Sequence, residues 1–157
     1  MNQFKYFPQT LVVARACLLI SFLSSCVSTQ EVQSESQSAY MHYIESEKIE
    51  NIDKITSFRY QGWRKLDGVH LMIRSAYNKH FFIRLKSTCP HLKTSKSIIV
   101  RNSTSNTFIA RFDSISPGKF PGLKCFVKDI YPITQGQADE INALDKKAQA
   151  VKGELTS

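Results

Sequence analysis

Four groups of side chains in this 157-residue chain are of types that do chemistry. Cys89-Pro90-His91 sets a thiol two positions from an imidazole, the pair from which a reactive thiolate or a metal ligand is made. It is not a CxxC, and no second paired cluster accompanies it, so a structural role outranks a redox or metal one. His42 and Glu45 are spaced to point from one helical face, but a metal needs three or four ligands and no others can be nominated. Surface side chains are the plainer reading. Asp113 and Asp129 could form an acid/base couple; both end predicted strands, where an Asp more often caps a turn. The fourth group is Arg74, Arg84 and Lys86, which fall on one side of a predicted hairpin and would attract an anion. GxSxG, phosphate-binding glycine-loop and HExxH patterns do not occur. The chain is therefore expected to be no enzyme, with no catalytic residues, no metal site and no cofactor; a hydrolase would need a pocket bringing Asp113, Asp129 or a histidine against another catalytic group.

The N-terminus decides which thiols are available. Residues 1–15 carry Lys5 and Arg15 and no acid, and residues 16–23 are a short apolar run ending in small residues, the order of a secretory signal. A spanning helix needs about 20 apolar residues, and Arg15 interrupts the run that begins at Leu11, so an export signal is favoured over a transmembrane anchor. Leu23-Ser24-Ser25-Cys26 resembles the lipobox of bacterial lipoproteins, which implies removal of residues 1–25 and lipidation of Cys26; a plain peptidase site is the alternative. Val27 and Ser28 follow, instead of the Asp that accompanies inner-membrane retention in such proteins. The implied address is the periplasm-facing leaflet of the outer membrane. Cys17 then leaves with the signal and Cys26 carries lipid. Cys89 and Cys125 remain as thiols in an oxidising compartment and are predicted to form a disulfide.

Residues 26–39 are rich in Ser, Gln and Glu and poor in large apolar groups, so they read as a tether whose ordering entropy no burial offsets. Tyr40, Ile44, Ile52 and Ile55 fall at helical spacing and predict a short amphipathic helix. Alternation takes over after residue 56. Val69, Leu71 and Ile73 share one face and His70, Met72 and Arg74 the other; Phe81, Ile83 and Leu85 likewise oppose Phe82, Arg84 and Lys86. The turn former Asn78 between these runs predicts a hairpin. Further strands are expected near 57–60, 97–101, 107–112 and 124–131, with residues 102–106 turning between the middle pair and Ser116-Pro117-Gly118 in a looser connection. The fold class is mainly β: a small antiparallel barrel or sandwich of about six strands, forming one domain over residues 40–133. Residues 134–157 read as a C-terminal amphipathic helix and tail. Thr134 and Gln137 form a capping box, Asp139 and Glu140 are placed in the first turn, and the stripe Ile141, Leu144, Ala148, Val151 and Leu155 is expected to pack on the domain, with a partner protein as the alternative.

Charge is concentrated in the β-rich part. Residues 55–131 hold fourteen Lys and Arg against three Asp, net +11, whereas residues 26–54 are net −4 and residues 132–157 net −1. Export argues against nucleic acid as the partner. Anionic lipid head groups or an acidic envelope protein fit the address better, and a solvated face without a ligand is the plain alternative.

The order Phe58…Trp63…Leu66-Asp67…Ile83-x-Leu85…Cys89-Pro90-x-Leu92…Phe112-Asp113-x-Ile115…Cys125…Ile130 resembles an uncharacterised family of small bacterial lipoproteins, domain of unknown function 6491. The resemblance spans residues 52–133 and leaves the acidic lead and the C-terminal helix outside. It implies a mainly β domain, a lipid signal and a two-cysteine framework, and no activity. The expected function is a non-enzymatic binding or structural domain at the outer membrane, anchored by its N-terminal lipid, with a basic face toward an anionic envelope component. The alternative is an accessory subunit of an envelope complex that docks through its C-terminal helix.

Overall fold

The computed structural model describes residues 39–155; the predicted signal, Cys26 and nearly all of the tether lie outside them. Helix α1 covers residues 39–46. Eight strands follow: β1 (Lys54–Thr56), β2 (Tyr60–Lys65), β3 (His70–Ser75), β4 (Lys79–Leu85), β5 (Ile98–Arg101), β6 (Thr107–Ile109), β7 (Ser114–Pro117) and β8 (Cys125–Ile133), then helix α2 (Gln135–Leu155). Six strands in the order β2-β3-β4-β8-β7-β5 make an antiparallel sheet that curls into a nearly closed barrel, and β1 pairs with β6 as a separate ribbon.

The barrel is filled by the apolar set the alternation singles out. Leu71, Ile73, Phe81, Ile83, Leu85, Ile115, Val127 and Ile130 point inward, and Ile55, Phe58, Phe108 and Ala110 from the ribbon side join the same core. The other face of β3, β4 and β8 is also covered. Met72, Phe82 and Ile133 lie beneath Tyr40 and Ile44 of α1 and Ala138 and Ile141 of α2, a second apolar layer. Hairpin residues expected to face solvent, His70, Met72 and Phe82, are therefore buried. Alternation identifies two faces, and the helices that cover the second come from distant sequence.

Four local expectations change. The helix expected from Tyr40 through Ile55 ends at residue 46, with Ile52 bridged to Ile130 and Ile55 in β1. The strand near 57–60 starts at Tyr60 and carries Trp63 within it, because Ser57 takes a left-handed φ of 53 that breaks extension. Residues 102–106 do not close a hairpin: β5 pairs with β7 and β6 pairs with β1. Ser116-Pro117 is not a connection but the end of β7, whose small, wholly buried residues carry no alternation to read. The β3–β4 hairpin turn is as expected, with Tyr77 and Asn78 both left-handed.

Cys89 and Cys125 form the predicted disulfide, with Cα atoms 5.6 Å apart and a sequence separation of 36. It ties the segment after β4 to the first residue of β8. His91, at φ 62, instead stacks on Phe120 with ring centroids 4.2 Å apart.

Helix α2 begins with the predicted capping box. Gln137 N donates to Thr134 Oγ1 at 3.2 Å and Thr134 N donates to Gln137 Oε1 at 2.9 Å. Because the helix starts at Gln135, Asp139 and Glu140 fall in its second turn, not its first. Ala138 and Ile141 are buried on the domain while Val151 is half exposed, so the stripe packs through its N-terminal part. Thr134→Ala is expected to lower unfolding free energy by about 1 kcal/mol, read from urea denaturation.

Candidate anion-binding cleft

The antiparallel register arranges the outer face of β2, β3, β4 and β8 into cross-strand rows. Gly62, Arg74, His80 and Ile133 form one row, Arg64, Met72, Phe82 and Tyr131 the next, and His70, Arg84 and Asp129 the third. The middle of this grid lies under the helices. At its first row, α2 and the sheet diverge and leave a cleft of about 340 Å³, with Gly62, Arg64, Arg74 and His80 on the sheet side and Gln135, Asp139 and Asn142 on the helix side. That is within the range of small-ligand sites.

Each wall has a local reason. A Cβ on Gly62 would lie 3.8 Å from Arg74 Nη2, so the guanidinium lies across the position that carries no side chain. His80 is brought opposite Arg74 by the left-handed pair Tyr77-Asn78, which reverses the chain in a tight turn. Gln135, Asp139 and Asn142 share one side of α2 at steps of four and three, and Gln135 Nε2 donates to Asp139 Oδ1 at 3.1 Å. Two residues of this lining also carry a polar atom closed to water: His80 Nε2 and Asn142 Oδ1 have no hydrogen-bond partner among the described residues. Buried polar atoms are rarely left unpaired. The cleft thus offers the donors of two guanidinium groups and an imidazole, with amide and carboxylate acceptors opposite. That set suits an oxyanion that also bears a hydroxyl.

The three basic residues nominated from the sequence do not form one patch. Arg74 lines the cleft. Arg84 shares the outer face but lies four residues along β4 from His80, the partner of Arg74, about 13 Å away, and its Nη1 is 3.7 Å from Asp129 Oδ2. Lys86 follows a bulge at Leu85 and reaches the Arg111 carbonyl at 3.4 Å. The expectation of one continuous basic face fails because α1 and α2 cover the ground between Arg74 and Arg84. Arg64 and His80 complete the cleft and were not singled out; the signal for His80 was its place opposite Arg74 once the turn at 75–79 is counted.

The other nominated groups have structural partners. Asp113 is buried and holds the 102–113 loop, accepting from Ser103 N and Oγ at 2.8 and 2.7 Å and from Ile109 N at 2.6 Å. His42 and Glu45 are exposed on α1, and no cluster of three or more metal-type ligands occurs among the described residues. A polar knot that sequence reading did not find joins both helices to the sheet. Asp67, 3 % exposed, accepts from Val69 N and His70 N at 2.6 Å each, and its second oxygen is 2.9 Å from His70 Nδ1. Burial alone would raise the Asp67 carboxyl; the His70 hydrogen bond and charge and the two amides outweigh it and hold the group below the ordinary carboxylate range. The His70 ring stacks on Phe82 and stands edge-on to Tyr40, whose hydroxyl donates to Asp145 Oδ1 of α2 at 2.9 Å. Burial, and then that hydrogen bond, push the Tyr40 phenol far above its usual range, so it remains a donor.

A family model described as Family of unknown function (DUF6491) matches residues 9–152. The match extends well beyond residues 52–133, so the acidic lead and most of α2 belong to the shared pattern and are not this protein's own addition. No curated protein matches the chain, and no solved structure does. With a family model covering most of its length, this chain belongs to the family of unknown function DUF6491.

Proposed function

We propose that the protein is an outer-membrane lipoprotein, anchored through Cys26 on the periplasmic side, whose domain binds a small oxyanion-bearing ligand between Arg64, Arg74 and His80 without catalysing a reaction on it. One observation carries this reading: the register and α2 bring Arg64, Arg74 and His80 to a single polar cleft. Two arginines against one carboxylate, Asp139, give the lining a positive balance. A phosphate monoester or hydroxy-carboxylate would accept from the guanidinium groups and donate its hydroxyl to Asp139.

Titration calorimetry with inorganic phosphate tests this. Binding is expected to weaken about tenfold or more in Arg74→Gln, the loss of a charge-assisted hydrogen bond. Arg84→Gln, whose partner is Asp129, is expected to bind as the unmodified protein does. Equal affinity in Arg74→Gln and the unmodified protein would remove the cleft as the site.

A further inference from the structure

A second surface lies at the far end of β4, six residues and about 20 Å from His80. Here the register makes a row on the outer face of the other half of the sheet. Arg101 faces Ser114, Ser114 faces Phe126, and Lys86 N donates to Phe126 O at 2.9 Å. Phe126 is 43 % exposed, with Lys86 Nζ 5.6 Å from its ring centroid. Beside it, Arg111 N donates to Val127 O and Val127 N to Asp113 O, which lays Phe112 along β8 with 74 % of its surface exposed. Lys128 follows Phe126 by two residues on the same side of β8, and Lys124 immediately precedes that strand.

The composition of this face is selective. From Ile98 to Lys128 the sequence contains one acid, Asp113, and its carboxylate is buried and bonded to the 103–109 segment. The acids that reach the face or its edge are Asp53, 3.9 Å from Arg111 and itself exposed, and Asp129, next to Lys128 in sequence and 3.7 Å from Arg84. Lys86, Lys124 and Lys128 have no ion pair among the described residues. Neither helix covers Phe112 or Phe126, although the same helices bury the aromatic residues on the opposite half of the barrel. Two exposed aromatic rings framed by cations fit a surface that is apolar beneath an anionic layer: rings enter the acyl boundary while ammonium and guanidinium groups meet head-group phosphates.

We infer that the β5–β7–β8 face docks on an anionic lipid bilayer, inserting Phe112 and Phe126 at the head-group boundary with Lys86, Lys124 and Lys128 on the phosphates. This surface is separate from the cleft, and either assignment can fail without the other.

The test is the full chain added to vesicles of phosphatidylcholine, with or without phosphatidylglycerol, carrying acyl chains brominated near the head group. Trp63 is the chain's single tryptophan and supplies the baseline. Phe112→Trp is expected to add a blue-shifted emission that brominated lipid quenches in phosphatidylglycerol vesicles. Tyr77→Trp, at an 80 % exposed turn elsewhere, is expected to stay unquenched. Adding Lys86→Glu and Lys128→Glu to Phe112→Trp should raise the vesicle concentration needed for half-maximal quenching by about tenfold or more, since each cation beside an anionic surface strengthens partitioning about fivefold. Absence of position-112 quenching in phosphatidylglycerol vesicles would overturn the inference, as would equal quenching at positions 112 and 77. Protection of position 112 by an acidic protein but not by vesicles would also overturn it.

Discussion

Asp67→Ala is expected to lower the unfolding free energy at pH 7 by about 3–5 kcal/mol, the cost of leaving three buried donors without their acceptor at about 1–3 kcal/mol each. The alanine would leave the Val69 and His70 amides and His70 Nδ1 without their acceptor in a site almost closed to water. It would also loosen the stacking of His70 on Phe82, and with it the layer on which α1 and α2 rest. The pH dependence follows from the direction of the shift. A carboxyl held below its unfolded value contributes stability that is complete above the unfolded pKa, about 3.9, and is lost as pH falls through the folded value. The gap between the unmodified protein and Asp67→Ala is therefore expected to be constant from about pH 7 to pH 5 and to narrow below about pH 4. Urea denaturation across that range reads it; a gap under about 1 kcal/mol at pH 7, or one that does not narrow in acid, would contradict the role given to Asp67.

Loss of the Cys89–Cys125 bond has a comparable expected effect. A cross-link spanning 36 residues contributes roughly 3–4 kcal/mol through the unfolded chain. Here it also fixes where β8 begins, and β8 is the strand that joins β4 to β7. Both cysteines are buried, so reduction exposes thiols to an apolar interior and not to solvent. Denaturation with and without reductant is expected to differ in urea midpoint by more than about 1 M, given slopes of about 1–3 kcal/mol/M for small domains. Mass measurement after thiol alkylation of unreduced, unfolded protein is expected to find neither Cys89 nor Cys125 labelled.

Parts of the fold with a local cause were legible in the sequence. The β3–β4 hairpin shows two clean alternations around Asn78; the capping box of Thr134 and Gln137 marks the start of α2; and the compartment logic leaves Cys89 and Cys125 to pair. Parts with a non-local cause were not. Strand β7 is Ser-Ile-Ser-Pro, buried throughout, and nothing in those four residues distinguishes it from a loop. The pairing of β6 with β1, not β5, is set by Asp113 drawing residues 103–109 inward, a contact visible only in three dimensions. Asp67 read as half of an Asp-Gly turn, and it is that, but the helices packed over the sheet also make it a buried acid. The cleft was legible in one residue. Arg74 stood out by alternation, whereas Gly62 hid the strand that carries Arg64, and Asn142 joins the lining through the docking of α2.

The cleft is the centre of the account, and side-chain nuclear magnetic resonance during a phosphate titration tests it most directly. The Nε2 resonance of His80, the Asn142 side-chain amide and the Arg74 guanidinium are expected to shift together with one dissociation constant, while Lys86, Lys124 and Lys128 stay where they are. Shifts spread over those three lysines with none at His80 or Asn142 would mean that phosphate meets a general basic surface, and would contradict a built site between α2 and the sheet.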